Sequence, residues 1–308
     1  MYAHVAMSFF RGDRRLCRGG NGGRNMITGM PRIAIAVHDF SNTIATFRDK
    51  FGMPVMDLSG TSVDDLGAKL AMCVPTGGSN IEIMSPADPG APLSQSLTRF
   101  LERRGEGLFA LMLEAPDPDS EANDITGRGL NVIPLMEGAG GRDIHPNSTH
   151  GVLIRVYPVN SFQGEAPDHA DKSDSPVLSG IAKVIIAVDD LDHAMDVYGE
   201  KLAMGISESR LDIERGVRFA ICNPASGGMI ELVSVEDNSR SFAQSVSAFL
   251  EGKRQGMYAL VLQSTDTRAM AKILSARGLK VSGATDSPEI LEVEQNFGVL
   301  IRIEPVTE

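Results

Sequence analysis

Long apolar runs recur along the chain and predict β-strands that are covered on both faces. They lie at 33–37 and 108–114 in the first half, and at 184–188 and 257–263 in the second. Continuous β-branched and aliphatic runs of this length are typical of strands in the interior of a sheet. Each half is therefore expected to contain two central strands.

Helical patterns follow these strands. Asp39 in the first half, and Asp189 or Asp190 in the second, can cap a helix that begins directly after the first strand. A second helix is predicted over 92–103 and again over 241–252. Each half thus has the order strand, helix, strands, helix, strand.

The remaining pattern predicts shorter strands and a third helix in each half. These strands lie at 69–74, 80–84, 151–156, 218–222, 229–233 and 298–303, and the helices end at Gly129 and Gly278. Both glycines stand in an Arg-Gly-Leu context that suits a left-handed C-cap.

The two halves are copies of one another. Residues 33–40 match 184–191, and residues 81–85 match 230–234, within six blocks that occur in the same order in both halves. Chance produces one such block but not six in order, so each half should fold as the same unit. The two units are expected to pair inside the chain as a pseudo-dimer.

The repeat sets the domain boundaries. We predict a disordered N-terminal extension at 1–27, a first module at 28–158, a linker at 159–177 and a second module at 178–306. The extension is rich in Gly and Arg and lacks periodicity; a transit peptide and a basic binding arm remain alternatives for it. The linker is rich in Pro, Asp and Ser.

Composition narrows the functional classes. The 308-residue chain has a net charge of -11, which disfavours nucleic acid and anionic membranes as partners. It has no apolar run of the ~18 residues that a membrane helix needs. Its three cysteines, Cys17, Cys73 and Cys222, form no CxxC motif and predict neither a disulfide framework nor a cysteine metal site. We expect a cytoplasmic protein.

Several motifs resemble the vicinal oxygen chelate superfamily, which includes glyoxalase I, methylmalonyl-CoA epimerase, extradiol dioxygenases and bleomycin-resistance proteins. They are residues 33–40 followed by 47–53, Ile81–Pro86, Gly105–Leu108 and Ile144–Ile154. The last motif is most similar to the epimerase branch. The resemblance implies an α+β fold of two tandem glyoxalase-like modules with four βαβββ units, each module a curled mixed sheet that forms a cup.

In that superfamily four strand positions in a cup supply metal ligands, and the resemblance locates those positions here. They fall on Arg32, Glu82, Ala110 and Arg155 in the first module, and on Lys183, Glu231, Ala259 and Arg302 in the second. Arginine has no lone pair to offer a metal, so each cup retains one carboxylate between two cations. We therefore expect no cofactor and no divalent metal at these positions.

Two interpretations of these cups remain open. In the first, they are internal ion-pair clusters: Glu82 bridges Arg32 and Arg155, and Glu231 bridges Lys183 and Arg302. In the second, each cup is an anion site. The glutamates then act as catalytic proton acceptors, and the cations bind a carboxylate or phosphate.

Three functions follow from these alternatives. The leading hypothesis is a metal-independent protein of small-molecule metabolism or resistance that binds a small anionic metabolite in the cup. The second is a lyase or isomerase of the glyoxalase or epimerase type that acts on a carboxylate or thioester. The third is a catalytically inactive structural or partner-binding subunit. Whether the protein is an enzyme, and whether it forms a homodimer, stays open.

Two histidines are further candidates for acid/base chemistry. They are His145 and His150, which come before the last strand of the first module.

Overall fold

The computed structural model describes residues 27–59, 66–136, 140–162, 176–284, 286–294 and 297–306. Over these ranges the chain forms two mixed β-sheets, one of seven strands and one of eight. The predicted α+β fold of two tandem glyoxalase-like modules is confirmed. The predicted extension at 1–27 and linker at 159–177 lie mostly outside the described residues, and the domain boundaries stay predictions.

The first module has seven described strands and three α-helices. The strands are β1 (Gly29–Ala36), β2 (Val55–Asp57), β3 (Ala68–Cys73), β4 (Asn80–Pro86), β5 (Gly107–Ala115), β6 (Arg142–Ile144) and β7 (Leu153–Pro158), and the helices are α1 (Phe40–Ala45), α2 (Pro92–Arg104) and α3 (Pro118–Gly127).

The second module repeats this order with one more described strand. The strands are β8 (Leu178–Ala187), β9 (Arg210–Asp212), β10 (Val217–Cys222), β11 (Met229–Val235), β12 (Gly256–Ser264), β13 (Lys280–Gly283), β14 (Leu291–Glu294) and β15 (Leu300–Pro305), and the helices are α4 (Leu191–Met195), α5 (Ser241–Lys253) and α6 (Thr267–Ala276).

The first helix of each module begins at an aspartate cap, as predicted. The Asp39 carboxylate accepts a hydrogen bond from the backbone N–H of Asn42 (3.0 Å), and the Asp190 carboxylate accepts one from His193 (3.0 Å). Asp190, rather than Asp189, is therefore the cap in the second module. Both helices continue into a wider π-helical turn.

Each sheet joins two βαβββ units through their first strands. In the first module the order is β2-β3-β4-β1-β5-β7-β6, with β1 antiparallel to β5 and parallel to β4. The second module has the order β13-β14-β15-β12-β8-β11-β10-β9. In the first module the counterpart of β13 is reduced to a single bridge between Val132 and Ile144.

The central strands are apolar throughout because both faces of each sheet are covered. On β1, Ile33 and Ile35 face the core that contains α1 and α3, whereas Ala34 and Ala36 face a second core that contains α2. The second face carries the positions of the cup, and we call it the cup face. In the second module α5 covers the cup face in the same way.

The modules pack together around an approximate twofold relation. One continuous core contains residues of both modules. The backbone of Ser79 pairs with Ile181, and the symmetry-related Met30 N–H donates to the carbonyl of Gly227 (3.0 Å). The expected pairing of the halves is therefore present in the fold. None of the described helices is long and apolar enough to cross a bilayer.

Candidate functional site

The strand order brings the predicted cup residues of the first module onto one face. Glu82 lies on β4, Arg32 on β1, Ala110 on β5 and Arg155 on β7, which are four consecutive strands of the sheet. All four are at least nine-tenths buried. The four residues thus share one face of the sheet, as expected, but their ion pairs differ in part from the expected ones.

Glu82 pairs with one of the two predicted cations. The Nε atom of Arg32 lies 3.0 Å from the Glu82 carboxylate. Arg155 instead makes a bidentate pair with Asp143, with Nε–Oδ1 and Nη2–Oδ2 distances of 2.5 and 2.6 Å. The expected bridge from Glu82 to Arg155 is wrong, because Asp143 stands directly opposite Arg155 in the β6–β7 pair. Both guanidinium groups lie over the ring of Tyr157, at 4.4 and 5.9 Å from its centroid.

In the second module, too, the predicted arginine pairs with carboxylates other than the cup glutamate. Glu231 contacts Lys183 at 2.9 Å, as predicted, but its second cation is Arg215 at 2.6 Å. Arg302 lies away from Glu231 and pairs with Asp286 at 2.7 Å and Glu292 at 3.1 Å. Glu292 faces Arg302 across the β14–β15 pair and is thus the counterpart of Asp143. The expected bridge from Glu231 to Arg302 is wrong for the same reason.

Arg215 was missed by the sequence analysis. It lies in the β9–β10 turn, where Asp212 accepts hydrogen bonds from its backbone N–H (2.9 Å) and from its Nε atom (2.7 Å). The Asp-Ile-Glu-Arg-Gly segment around it has the spacing of a side-chain-stabilised turn, and that pattern could have identified it. The aligned position in the first module is Leu66, so this contact is specific to the second module.

The electrostatics of Glu231 are those of a structural carboxylate. Burial alone would raise its pKa, but the positive charges of Lys183 and Arg215 outweigh burial and hold the pKa below the usual range for glutamate. A carboxylate that is stabilised in its charged form by two cations is a weak proton acceptor. The role of Glu231 and of Glu82 as catalytic bases stays a prediction.

The cup residues do not fit a divalent metal. Each cup offers one carboxylate at the superfamily's four ligand positions, and that carboxylate is engaged by a buried cation. Guanidinium and ammonium groups offer no lone pair, and their charge opposes a metal ion. Within the described ranges no group of three His, Cys, Asp or Glu side chains is arranged to hold a metal ion.

One helix packs on the cup face of each module. Leu93, Leu97 and Leu101 of α2 pack on the cup face of the first module, and Phe242 and Val246 of α5 on that of the second. A cavity of about 420 Å³ remains in the second module beside the ion pairs. It is lined by six carboxylates and three cations: Asp212, Glu214, Glu231, Asp286, Glu289, Glu304, Lys183, Arg215 and Arg302. Its surplus of negative charge disfavours an anionic ligand, contrary to the expected cationic cup.

The two histidines singled out from the sequence lie at the junction of the modules. His150 hydrogen-bonds to the side chain of Gln255 (2.6 Å) and to His193 of the second module (3.0 Å). The Nδ1 atom of His145 accepts a hydrogen bond from the backbone of Asn147 (3.1 Å). Neither histidine is placed beside the carboxylate of a cup, and their acid/base roles stay predictions.

Comparisons with known proteins agree with the fold. Residues 32–145 match the family model of the Glyoxalase/Bleomycin resistance protein/Dioxygenase superfamily. A mutant of 4-hydroxymandelate synthase from Streptomyces coelicolor has a similar structure, with a TM-score of 0.65 and 13% identity over 91% of this chain and 93% of that one. A xylose isomerase-like TIM barrel/4-hydroxyphenylpyruvate dioxygenase fusion protein gives a TM-score of 0.61 and 11% identity, over 91% of this chain and 49% of that one.

A shorter match extends over about half of the chain. Methylmalonyl-CoA epimerase from Mycobacterium tuberculosis is 26% identical over 45% of this chain and 95% of that one, with a TM-score of 0.37. No curated protein sequence matched the chain. The first module thus belongs to the Glyoxalase/Bleomycin resistance protein/Dioxygenase superfamily, and the second repeats its fold. The resemblance stated from the sequence is confirmed at the level of the superfamily.

Proposed function

We propose that this protein is a metal-independent, non-catalytic member of the superfamily that acts by binding a small anionic molecule. The observation that supports a metal-independent and non-catalytic role is the pairing inside the cups, where every predicted cation already has a carboxylate partner. Arg155 and Arg302 each direct two guanidinium nitrogens at carboxylates and so have no free fork for a ligand carboxylate. The cups then serve to stabilise the fold, and the anion binds elsewhere.

The enzyme alternative receives less support from the same contacts. A lyase or isomerase of the glyoxalase or epimerase type needs a proton acceptor next to an anchored substrate. Glu82 is engaged by the buried Arg32, Glu231 is engaged by the partly buried Lys183 and Arg215, and the pKa of Glu231 is lowered. Helices α2 and α5 also pack on the faces where a substrate would lie in each cup. These contacts favour binding over catalysis.

Divalent-metal binding tests the proposal on the intact chain. We expect equilibrium dialysis against Zn²⁺, Mn²⁺ or Co²⁺, followed by native mass spectrometry, to give no stoichiometric metal. The matched variants Glu82→Gln and Glu231→Gln should show the same background binding as the original protein. One metal ion per module that disappears in these variants would overturn the proposal and restore metal-assisted chemistry in the cups.

A cytoplasmic location is part of the proposal. It is supported by Cys73 and Cys222, which are buried free thiols at aligned positions of the two modules. Burial raises the pKa of both thiols, so they remain protonated and unreactive. Cysteines that form no disulfide are typical of proteins of a reducing compartment.

A further inference from the structure

A cavity of about 390 Å³ opens where the two modules meet, and none of the eight cup positions lines it. Its walls come from the C-terminal halves of α2 and α5 and from the central strands beneath them. Most apolar lining residues form pairs related by the internal repeat: Phe100 with Phe249, Leu108 with Met257, Phe109 with Tyr258, and Leu153 with Leu300. The cavity thus lies on the approximate twofold axis, and neither module alone encloses it.

Positive charge surrounds these apolar walls. Arg99, Arg104 and Lys253 line the cavity, and Arg104 and Lys253 occupy aligned positions of α2 and α5. Glu106 is the one carboxylate among the lining residues of the described chain, and it accepts a hydrogen bond from the backbone N–H of His38 at 2.6 Å. The cavity therefore has an excess of cations, unlike the cups.

Arg104 is the half-buried member of this set. Its Nη2 atom reaches the backbone carbonyl of Gln255 at 3.5 Å, a long contact, and no described carboxylate forms an ion pair with it. Burial and the nearby positive charge of Arg254 both lower the pKa of Arg104. A negatively charged ligand would relieve this repulsion, because it would supply the counter-charge that the described residues lack.

We propose that this cavity binds an apolar carboxylate, such as a medium-chain fatty acid, with its carboxylate beside Arg104 and Lys253 and its chain between Phe100 and Phe249. This inference rests on the proposed function and gives it a site and a ligand class. The volume lies within the ~300–1,000 Å³ of typical ligand pockets. Apolar walls with a cationic rim favour an amphipathic anion over a small hydrated one.

Isothermal titration calorimetry of the full-length protein with decanoate tests the proposal. We expect saturable binding, with Arg104→Gln weakening it about tenfold because a charge-assisted contact is lost. Lys253→Gln should weaken binding several-fold. Arg103→Gln is the matched control, since Arg103 is exposed on the same turn of α2 but does not line the cavity. Affinity should fall about two- to fourfold for each methylene removed from the acid.

Three results would overturn the inference. The first is equal affinity for decanoate and decylammonium, which would show that the cationic rim has no part in binding. The second is unchanged decanoate binding in both Arg104→Gln and Lys253→Gln, and the third is no binding by the original protein. Lys253 is exposed, so its variant reports on the site even if Arg104→Gln impairs folding. Metal binding in the cups would refute the proposed function, whereas absent decanoate binding alone refutes only this inference.

Discussion

The buried arginines of the cups are held by carboxylates that stand opposite them on the neighbouring strand. Asp143 faces Arg155 across the antiparallel β6–β7 pair, and Glu292 faces Arg302 across the antiparallel β14–β15 pair. Removing one partner from a buried pair leaves a desolvated charge without compensation, which costs more than the pair itself contributes. Stability measurements on single-residue variants therefore report on the cups directly.

We predict that Glu82→Gln lowers the free energy of unfolding by about 3 kcal/mol, because it leaves the buried Arg32 guanidinium without a counter-charge. Chemical denaturation monitored by circular dichroism measures this loss. The matched control is Glu294→Gln, which breaks the exposed pair with Lys280 and should cost less than about 1 kcal/mol. Equal stability of the two variants would contradict a structural role for the cup pair.

Acid pH should weaken the contact between His150 and His193. Burial holds the pKa of His150 below its ordinary value, so the folded state favours the neutral ring. As the pH falls below about 6.5, His150 takes up a proton in the unfolded state before it does so in the folded state. The free energy of unfolding therefore decreases from that pH down to the pKa of His150 in the folded protein. Thermal unfolding between pH 8 and pH 5 measures this loss.

The variant His150→Asn should flatten this pH dependence. Asparagine tolerates the positive φ of 53° at this position, so the backbone is not strained by the change. His38→Asn is the control, because His38 is exposed and the pH profile should be unaffected. A pH profile for His150→Asn that matches the original protein would assign the acid sensitivity to other groups.

At the scale of elements, hydrophobic periodicity was sufficient for most helices and strands. The predicted helix at 92–103 is observed as Pro92–Arg104, and the predicted strand at 257–263 as Gly256–Ser264. The π-helical turns after α1 and α4 were not predicted, because their hydrophobic pattern resembles that of a regular helix. The packing of α2 and α5 on the cup faces was also missed, since amphipathicity shows which side of a helix is apolar but not which sheet face it covers.

The same limit explains why the cup contacts were predicted only in part. The repeat placed Arg32 and Glu82 on neighbouring strands, and their ion pair is present. Asp143 and Arg215 lie in an edge strand and a turn, where short segments carry little periodicity and register depends on the turn. A cross-strand partner ten to twelve residues before a buried arginine is visible in the sequence only once the hairpin is known.

At the scale of the whole molecule, the two modules are joined through backbone contacts that require glycine. Gly298 has a φ of 68°, and Gly151, its counterpart, has a φ of 80°. A Cβ at Gly298 would meet the backbone carbonyl of Glu106, and one at Gly151 would meet that of Gln255. Both glycines therefore allow the modules to approach closely at the two symmetry-related ends of the junction.

We predict that Gly298→Ala lowers the free energy of unfolding by about 1–3 kcal/mol, through a strained positive φ and a clash with the other module. Differential scanning calorimetry should show one cooperative transition in the original protein, since a single core spans both modules. Gly127→Ala is the control, because Gly127 has open space for a Cβ within a helix and should retain full stability. Two separate transitions in the original protein would contradict this prediction, because they would show that the modules unfold independently.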